Sequence, residues 1–431
     1  MRPVIPILFL LSVVLSLSCD QDTPARKLAD QSAFRRIERI CRASLILPAT
    51  ERDRSRLLVH RLANGTGSNL DRFFTLLSDP DRKGPVRILH YGDSLLWADL
   101  MTSRIRTRLT NVFGNGGRGL IAPALEAQDN ALSALGHQQW GNWSVEFLQT
   151  MAGFRQEMGI TMRRVTAVGI QSFALFDLSG DAPVDSLLVL AEPGSGSYIL
   201  TGYDSTGTRS WSNANTITSN APVRHVAPFP MSTITLSASP GTILYGISLE
   251  RQAGGLVYTP VMRRGICSHD LPDIAAQRFR AQLAEFGPDL VILQFGKNEA
   301  GWDKYTLHKH LSGIHWMVSN LKAACPSATL LLFGPGPRIN TWASPPRVFP
   351  SVGEMNTAQR ELALAGKAVW FDSYTALGKE EGFMAMAWQG LVMPDYVHLT
   401  YQGGDFLGDI FADALLEAYG QWILEKVSSL K

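Results

Sequence analysis

The stretch Val86-Arg-Ile-Leu-His-Tyr-Gly-Asp-Ser94 decides the fold of this 431-residue chain. Its mostly apolar and β-branched beginning predicts a buried strand, and Gly92 ends that strand. Apolar residues at helical spacing follow over residues 95–109, so Asp93 and Ser94 lie at a strand-to-helix turn. One interpretation of the turn is a helix cap, since Asp and Ser are good N-caps. The other is a functional serine, because ligands bind where the strands of an open α/β sheet end.

The part of the chain beyond residue 265 alternates predicted strands and helices. Buried apolar runs predict the strands, and amphipathic runs predict the helices. Such alternation is typical of an α/β fold, a parallel sheet covered by helices on both faces. Two further helices are predicted upstream, at residues 27–43 and 69–77. The C-terminal strands are predicted at residues 289–295, 328–333 and 368–371, and the helices at 305–324, 355–365 and 402–427.

The middle of the chain has a different composition. It is rich in Ser, Thr, Gly and Val, and turn residues separate its short runs of alternating polarity, at 186–190, 197–200, 232–236 and 242–249. Short, closely spaced strands of this kind are typical of a β-sandwich. We therefore predict that an α/β domain, residues 85–130 and 259–431, is interrupted by a β-rich insert, residues 131–258.

The chain begins with the pattern of a secretory signal. Residues 1–18 carry one positive charge and an apolar run too short to span a bilayer, and residues 19–84 follow as a polar tether and N-terminal helices. Leu-Ser-Leu-Ser-Cys19 resembles a bacterial lipobox, in which Cys19 would be lipidated, although Ser16 stands where lipoboxes usually carry Leu. Ser16 and Ser18 also fit ordinary signal cleavage, which would leave Cys19 as a free cysteine. Both alternatives predict export to the bacterial cell envelope, in the periplasm or at the cell surface; we favour the lipid anchor and expect no transmembrane helix.

Composition and charge exclude several classes of protein. Hydrophobic residues make up 45% and charged residues 18%, a composition that supplies a packed core and differs from that of disordered chains. The formal charge of +2 offers no basic surface for coating nucleic acid. Four cysteines are too few for a disulfide scaffold. Beyond Cys19, at most one disulfide can form among Cys41, Cys267 and Cys325, and the sequence does not select the pair.

No metal site is predicted. The chain has no Cys-x-x-Cys pair, and His308, His310 and His315 do not share one helical face despite their proximity in sequence. We expect these histidines on a solvated helix surface, with a metal site as the less favoured alternative.

Three further signals accompany Ser94. A serine nucleophile needs a base, a group that orients the base, and donors for the oxyanion. Asp395-Tyr-Val-His398 precedes the closing helix, and this spacing lets the carboxylate reach the imidazole. Asn298 follows a predicted strand, and Gly265 ends the apolar run that resumes the sheet. Each signal alone fits a turn residue better, but all four segments lie at predicted strand ends, which one sheet edge brings together.

Gly92-Asp-Ser94, Gly265, Asn298 and Asp395-x-x-His398 resemble, in this order, the four sequence blocks of the SGNH (GDSL-type) hydrolases. Within that family, His-Tyr-Gly-Asp-Ser, the run Phe113-Gly-Asn-Gly-Gly-Arg-Gly119 and the β-rich insert are similar to the periplasmic peptidoglycan O-acetylesterases. The resemblance implies a flavodoxin-like, three-layer α/β/α hydrolase domain whose insert is similar to a carbohydrate-binding module.

Two of the four blocks depart from the family pattern. Glu299 follows Asn298 where the family usually has Asp, and Ile266-Cys-Ser-His follows Gly265 in place of an Asn-Gly-Ala-like run. These departures leave the implied catalytic roles intact but weaken the assignment of the substrate.

The resemblance also implies a role for each residue. Ser94 would be the nucleophile, His398 the general base and then acid, and Asp395 the group that orients His398. The backbone N–H groups of Ser94 and Gly265, with the side-chain amide of Asn298, would form the oxyanion hole. No metal or organic cofactor is implied.

Other residues compete for these roles. His269-Asp270 offers an alternative base, but adjacent side chains usually point apart, and a surface histidine beside a helix-start Asp is the favoured interpretation. Cys267 is expected to be a buried structural thiol rather than a nucleophile, and His90 a core histidine. Four tryptophans would suit stacking on sugar rings, but core packing is the expected role of each; they are Trp97, Trp140, Trp143 and Trp302.

The implied function is that of an exported serine esterase that removes O-acetyl groups from a cell-envelope polysaccharide, with peptidoglycan the favoured substrate and Cys19 the link to the membrane. Three alternatives stay open. They are a polysaccharide O-acyltransferase with the same triad, a lipid or aryl esterase that prefers longer acyl chains, and a non-catalytic glycan-binding lipoprotein. The last of these is disfavoured because a relic is free to lose its site residues, and Ser94, Asn298, Asp395 and His398 are all intact.

Overall fold

The computed structural model describes residues 63–64, 70–125, 136–150, 152–153, 155–218, 222–365 and 368–428. The predicted signal at residues 1–18, the helix predicted at 27–43, Cys19 and Cys41 lie outside the described residues. Export and lipidation therefore stay predictions. None of the helices in the described ranges has the length and hydropathy of a membrane span.

The described elements follow the chain in the order expected of an interrupted α/β domain. The strands are β1 (Ala63–Asn64), β2 (Val86–Gly92), β3 (Gly119–Ile121), β4 (Gly136–Trp140), β5 (Trp143–Phe147), β6 (Arg163–Ala167), β7 (Ser172–Asp177), β8 (Val184–Ala191), β9 (Ser197–Tyr203), β10 (Ser210–Thr216), β11 (Val223–Met231), β12 (Thr233–Ala238), β13 (Ile243–Glu250), β14 (Leu256–Met262), β15 (Leu290–Gln294), β16 (Thr329–Phe333), β17 (Ile339–Asn340), β18 (Arg347–Val348) and β19 (Val369–Phe371). The α-helices are α1 (Asp71–Ser78), α2 (Thr102–Phe113), α3 (Ala276–Phe286), α4 (Lys297–Ala300), α5 (Leu307–Ala324), α6 (Pro350–Leu364), α7 (Ser373–Ala376), α8 (Lys379–Trp388) and α9 (Tyr401–Ser428), and two 3₁₀ helices span Ser94–Asp99 and Ser268–Asp273.

A parallel sheet forms the centre of the α/β domain. Its strand order is β14-β2-β15-β16-β19, and the short β1 pairs antiparallel with β19 at the far edge. Numbered along the chain, the parallel strands run 2-1-3-4-5, the order of flavodoxin-like doubly wound folds. The predicted fold class is therefore confirmed.

Each face of the parallel sheet carries its own hydrophobic core. Alternate side chains of a strand point to opposite faces. Val86 and Ile88 of β2 therefore pack with α2 and α9, whereas Leu89 and Tyr91 pack with α3 and α5. β15 and β16 are buried along their whole length, which explains why their sequences are continuous apolar runs.

Standard capping residues set several helix ends. The Thr306 hydroxyl accepts the backbone N–H of Lys309 at 3.2 Å where α5 begins. α6 begins at Pro350, which has no N–H to leave unpaired in the first turn. α3 ends at Gly287, whose φ of 62° is the left-handed conformation that glycine supplies most readily.

Two antiparallel sheets pack into the β-sandwich predicted for the middle of the chain. One has the order β10-β9-β12-β7-β4 and the other β11-β8-β13-β6-β5. Apolar residues of both sheets, such as Phe176, Leu236 and Ile247, form the core between them. The pairing differs from the predicted segments at two points. β3 lies in the segment 85–130 but pairs with β13 of the sandwich, and β14 begins at Leu256, within the segment 131–258, but pairs with β2 of the parallel sheet.

The segment after α2 lies along the outer edge of β14. Leu256 N donates to Gly114 O at 2.9 Å, and Gly116 N donates to Leu256 O at 3.0 Å. Further on, Leu120 N donates to the Thr259 hydroxyl at 3.1 Å. The chain thus covers this edge of the parallel sheet on its way into the sandwich.

The continuous helix predicted over residues 95–109 is wrong. The chain forms the 3₁₀ helix Ser94–Asp99 and then α2, because Ala98 and Asp99 adopt left-handed φ values of 62° and 58°. The buried Asp99 carboxylate is held by Arg106 at 2.7 Å and by Arg118 at 3.1 Å. These ion pairs stabilise a backbone conformation that is otherwise unfavourable for side chains other than glycine.

The expectation of a solvated histidine surface on α5 is also wrong for one residue. His308 and His315 are exposed, but His310 is fully buried and points into the protein. Cys267 and Cys325 are free thiols, so these two do not pair with each other.

Candidate active site

The four predicted segments lie at one edge of the parallel sheet. Ser94 follows β2, Gly265 follows β14 and Asn298 follows β15. Asp395 and His398 lie in the loop between α8 and α9, so the prediction that this segment also follows a strand is wrong. β2 and β15 are the neighbouring strands at which the chain order reverses, and ligands of open α/β sheets bind at such a switch point.

A chain of hydrogen bonds joins Ser94, His398 and Asp395. Ser94 Oγ lies 2.7 Å from His398 Nε2, and His398 Nδ1 lies 2.6 Å from Asp395 Oδ2. Because an ionised carboxylate can only accept, Nδ1 carries the proton, and Nε2 is left to accept the proton of the Ser94 hydroxyl. This is the geometry of a nucleophile, a base and a carboxylate that orients the base.

The local turn fixes the Asp395 carboxylate in place. Its Oδ1 accepts the backbone N–H of Val397 at 2.9 Å and that of His398 at 3.0 Å. Burial alone would raise the pKa of Asp395, but the hydrogen bonds from His398 and from these N–H groups outweigh it and hold the pKa below its usual range. Tyr396, between Asp395 and Val397, has a left-handed φ of 55°, a backbone angle that is rare for bulky residues. The hydrogen bonds of the turn therefore maintain a strained backbone.

A cavity of about 280 Å³ opens at Ser94. Arg264 holds its guanidinium carbon 5.4 Å from the ring centroid of Trp97, within the range of a cation–π contact. Apolar side chains dominate the rest of the wall, so the space beside the serine suits a small apolar group. The cavity is lined by Ser94, Leu95, Trp97, Leu100, Arg264, Met393, Asp395, His398, Leu399 and Gly404.

Gly265 and Asn298 are brought together through Ile266. Asn298 Nδ2 donates to Ile266 O at 2.8 Å, which uses one of the two amide hydrogens and leaves the other for a second acceptor. Gly265 adopts a φ of 76°, and a Cβ added there would meet no heavy atom within 4 Å. The positive φ agrees with a turn, and Gly265 is exposed.

Buried charges surround the strand ends that carry Ser94 and Asn298. Burial raises the pKa of Asp93 to about 7, and burial lowers the pKa of Lys297 to about 7. Lys297 Nζ donates to Pro337 O, and Arg338 Nη1 donates to Lys297 O and, at 3.3 Å, to Asn298 O. Such perturbed groups are typical of functional sites.

Glu299, the departure from the family pattern, forms a buried network. Its Oε1 accepts from the backbone N–H of Ser268 at 2.8 Å and from the Ser268 hydroxyl at 3.0 Å, and lies 3.2 Å from His310 Nδ1. Burial works to raise the pKa of Glu299, but the contacts with His310 and Ser268 outweigh it and lower the pKa to about 2. The carboxylate is therefore charged at neutral pH.

The competing residues occupy other positions. His269 stacks on Trp302 with the ring centroids 4.8 Å apart, and His90 is buried against the Tyr258 hydroxyl at 2.6 Å. Cys267, His269 and Asp270 place possible metal ligand atoms within 4.8 Å of one another. However, Asp270 Oδ2 accepts the Cys267 N–H at 2.8 Å, and burial raises the pKa of the Cys267 thiol, so it remains protonated. Capping of the short helix explains this cluster.

Sequence reasoning missed several residues around the site. Core packing is the expected role of Trp97, but its side chain lines the cavity, and so does that of Arg264, which immediately precedes Gly265. Lys297 and Arg338 are charged residues that follow the apolar strands β15 and β16, and this position in the sequence could have marked them as site residues. The partners of Glu299 gave no signal, because Ser268 and His310 are distant in sequence.

Comparisons with known proteins agree with this architecture. Residues 248–405 match the model of the GDSL-like lipase/acylhydrolase family. A sequence comparison with curated proteins gives no match. Among solved structures, a peptidoglycan O-acetylesterase is 21% identical, with a TM-score of 0.71 over 84% of this chain and 99% of that chain.

Two other solved structures share less. A GDSL-like lipase from Bacteroides thetaiotaomicron is 19% identical over 38% of this chain and 76% of its own, with a TM-score of 0.29. A carbohydrate esterase family 2 enzyme with a carbohydrate-binding domain, from Corynascus thermopiles, is 13% identical over 64% of this chain and 100% of its own, with a TM-score of 0.26. Residues 248–405 are therefore similar to the GDSL-like lipase/acylhydrolase family, and the chain shares its fold with a protein described as a peptidoglycan O-acetylesterase.

Proposed function

We propose that the chain is an exported serine esterase that removes O-acetyl groups from a cell-envelope polysaccharide, with peptidoglycan as the leading substrate. The observation that carries this proposal is the hydrogen-bonded series Ser94–His398–Asp395, all three of which line the cavity. We further propose that Cys19 anchors the mature chain to a membrane.

In the first half of the reaction, Ser94 Oγ attacks the acetyl carbonyl carbon while His398 Nε2 takes the hydroxyl proton. The N–H groups of Ser94 and Gly265 and the free amide hydrogen of Asn298 stabilise the oxyanion. As the tetrahedral intermediate collapses, the bond to the sugar oxygen breaks and His398 returns the proton to that oxygen. The products are the free sugar hydroxyl and an acetyl ester on Ser94.

In the second half, a water molecule attacks the acetyl-serine carbonyl. His398 takes a proton from the water and then gives it to Ser94 Oγ as acetate leaves. Asp395 stays ionised throughout, because its hydrogen bonds keep its pKa below the usual range. It holds the imidazole in the required tautomer and stabilises the imidazolium.

Two features support acetyl and carbohydrate over other esters. The cavity of about 280 Å³ has room for a short acyl chain beside part of a sugar. The fold is that of a protein described as a peptidoglycan O-acetylesterase. A short acyl chain distinguishes this proposal from a lipid esterase.

The test is acetate release from O-acetylated peptidoglycan by the full-length protein, beside Ser94→Ala. p-Nitrophenyl acetate and p-nitrophenyl butyrate serve as small substrates. We expect the wild type alone to release acetate from the polymer and to prefer the acetyl ester. Activity on p-nitrophenyl acetate without release from peptidoglycan would redirect the search to other acylated polysaccharides. Inactivity on every ester would favour a transferase without its acceptor or a glycan-binding lipoprotein.

A further inference from the structure

We propose that Glu299 is a positioning residue that locks together the two backbone segments carrying Gly265 and Asn298. The inference rests on the proposed function, in which those two residues donate hydrogen bonds to the oxyanion.

Glu299 and Asn298 bind the same neighbouring segment with adjacent side chains. Asn298 donates to Ile266 O at 2.8 Å, and Glu299 accepts the backbone N–H of Ser268 at 2.8 Å. Ile266 and Ser268 closely follow Gly265. Asn298 of α4 thus binds a backbone carbonyl of the segment that follows Gly265, and the next residue, Glu299, binds a backbone N–H of the same segment. Together these contacts set the distance between the two proposed oxyanion donors.

The Glu299 carboxylate is itself held by His310 of α5, which contacts Gln359 of α6. Gln359 Nε2, on α6, lies 2.9 Å from His310 Nε2, on α5. An ionised carboxylate can only accept, so the His310 ring carries a proton on Nδ1, which faces Glu299. Nδ1 lies 3.2 Å from Glu299 Oε1 and therefore donates to it. This carboxylate–histidine pair resembles Asp395–His398 in geometry, but it faces the protein interior.

Burial makes the network difficult to replace. The exposed fractions are 0% for Ser268 and His310, 1% for Glu299 and 2% for Gln359. Water has no access to substitute for a lost partner, so an amide in place of the carboxylate weakens the hydrogen bonds that Oε1 accepts and buries N–H groups where Glu299 Oε2 has no partner among the described residues. The adjacent segments then shift, and a displacement of about 1 Å in a catalytic group can lower a rate about 100-fold.

The matched control is Glu250, a second fully buried carboxylate. It is held by Arg87 at 2.7 Å, by Arg224 at 2.7 Å and by the Ser248 hydroxyl at 2.8 Å. Arg87 lies at the beginning of β2, whereas Ser94 follows its end, so Glu250 lies at the opposite edge of the sheet. Glu250→Gln therefore tests for loss of a buried charge without disturbing the site.

The experiment compares wild type, Glu299→Gln, Glu299→Asp and Glu250→Gln as full-length proteins. It measures amide hydrogen exchange in residues 264–268 and kinetics on p-nitrophenyl acetate. For Glu299→Gln we expect exchange in this segment to rise roughly tenfold and kcat to fall about 10- to 100-fold, with KM nearly unchanged. Glu299→Asp, which keeps the charge, should recover part of kcat. Glu250→Gln should leave exchange in this segment and kcat unchanged, whatever its effect on Tm.

A double-mutant cycle separates positioning from general damage. If Glu299 acts through the Gly265–Asn298 pair, Glu299→Gln should cost much less in an Asn298→Ala background. Unchanged exchange at residues 264–268, or the same fold loss in both backgrounds, would overturn the inference. A wild type that hydrolyses no ester would refute the proposed function instead, and the exchange measurement would still decide whether Glu299 holds the two segments.

Discussion

Truncating Asn298 to alanine gives the sharpest test of the proposed oxyanion hole. The side chain has two amide hydrogens, and one of them is donated to Ile266 O at 2.8 Å. Asn298→Ala therefore removes both a structural hydrogen bond and a proposed catalytic donor. The structural bond contributes about 1 kcal/mol to the free energy of unfolding. Loss of one oxyanion donor costs about 2.7–4 kcal/mol of transition-state stabilisation, or about 10²–10³ in kcat.

The two losses can be measured separately. Urea unfolding reports the structural bond, and kcat on p-nitrophenyl acetate and acetate release from peptidoglycan report the donor. Asn320→Ala is the matched control, because Asn320 Nδ2 donates to Trp316 O at the same distance of 2.8 Å within α5. Its unfolding free energy should fall similarly while kcat is retained. If Asn298→Ala lost no more activity than Asn320→Ala, Asn298 would not be an oxyanion donor.

Other substitutions test the remaining parts of the site. Asp395→Asn should lower kcat on p-nitrophenyl acetate about 10²–10⁴-fold, because the amide disfavours the Nδ1–H tautomer of His398; a loss below tenfold would contradict that role. Leu100→Ala should enlarge the cavity and raise the butyrate-to-acetate ratio of kcat/KM roughly tenfold, since two methylenes contribute about 1.6 kcal/mol when buried; an unchanged ratio would place the acyl group elsewhere. The pKa of Glu299 is lowered from 4.5 to about 2, so the charge contributes stability above pH 4.5 that is lost as the pH falls towards 2. Urea unfolding should therefore show a wild-type advantage over Glu299→Gln of up to about 3 kcal/mol near neutral pH that narrows below pH 4.5; a constant difference would exclude this linkage.

The strands of the parallel sheet and the turn at Ser94 could be predicted from the sequence, because each depends on the residues of its own segment. The strands of the parallel sheet are buried on both faces, so their apolar runs are visible, and the turn at Ser94 follows directly from Gly92. The segments of Ser94, Gly265 and Asn298 could be grouped because parallel strands end at a common edge, an argument that does not apply to the loop after α8. His398 and Asp395 are close in sequence, so their contact was predictable, whereas the 2.7 Å contact between His398 and Ser94 depended on the fold class being right.

The features that depend on distant partners could not be predicted. The break after Trp97 exists because Asp99 pairs with Arg106 and with Arg118, and helical spacing carries no trace of those ion pairs. His310 is buried because it binds the carboxylate of Glu299, a residue that follows β15 and lies inside the protein. A single histidine on a polar helix surface looks the same in sequence whether it faces solvent or the core.

The glycine-rich segment that covers β14 has a consequence for solubility. An uncovered edge strand can pair with the edge of another molecule, which leads to aggregation. A Cβ on Gly117 would lie 2.4 Å from Leu249 O, and one on Gly119 would lie 2.4 Å from the Thr259 hydroxyl. Larger residues at these positions would lift the covering segment from the sheet. Gly117 and Gly119 therefore protect the protein from self-association. Replacing either of them should produce insoluble protein before it changes the rate of ester hydrolysis.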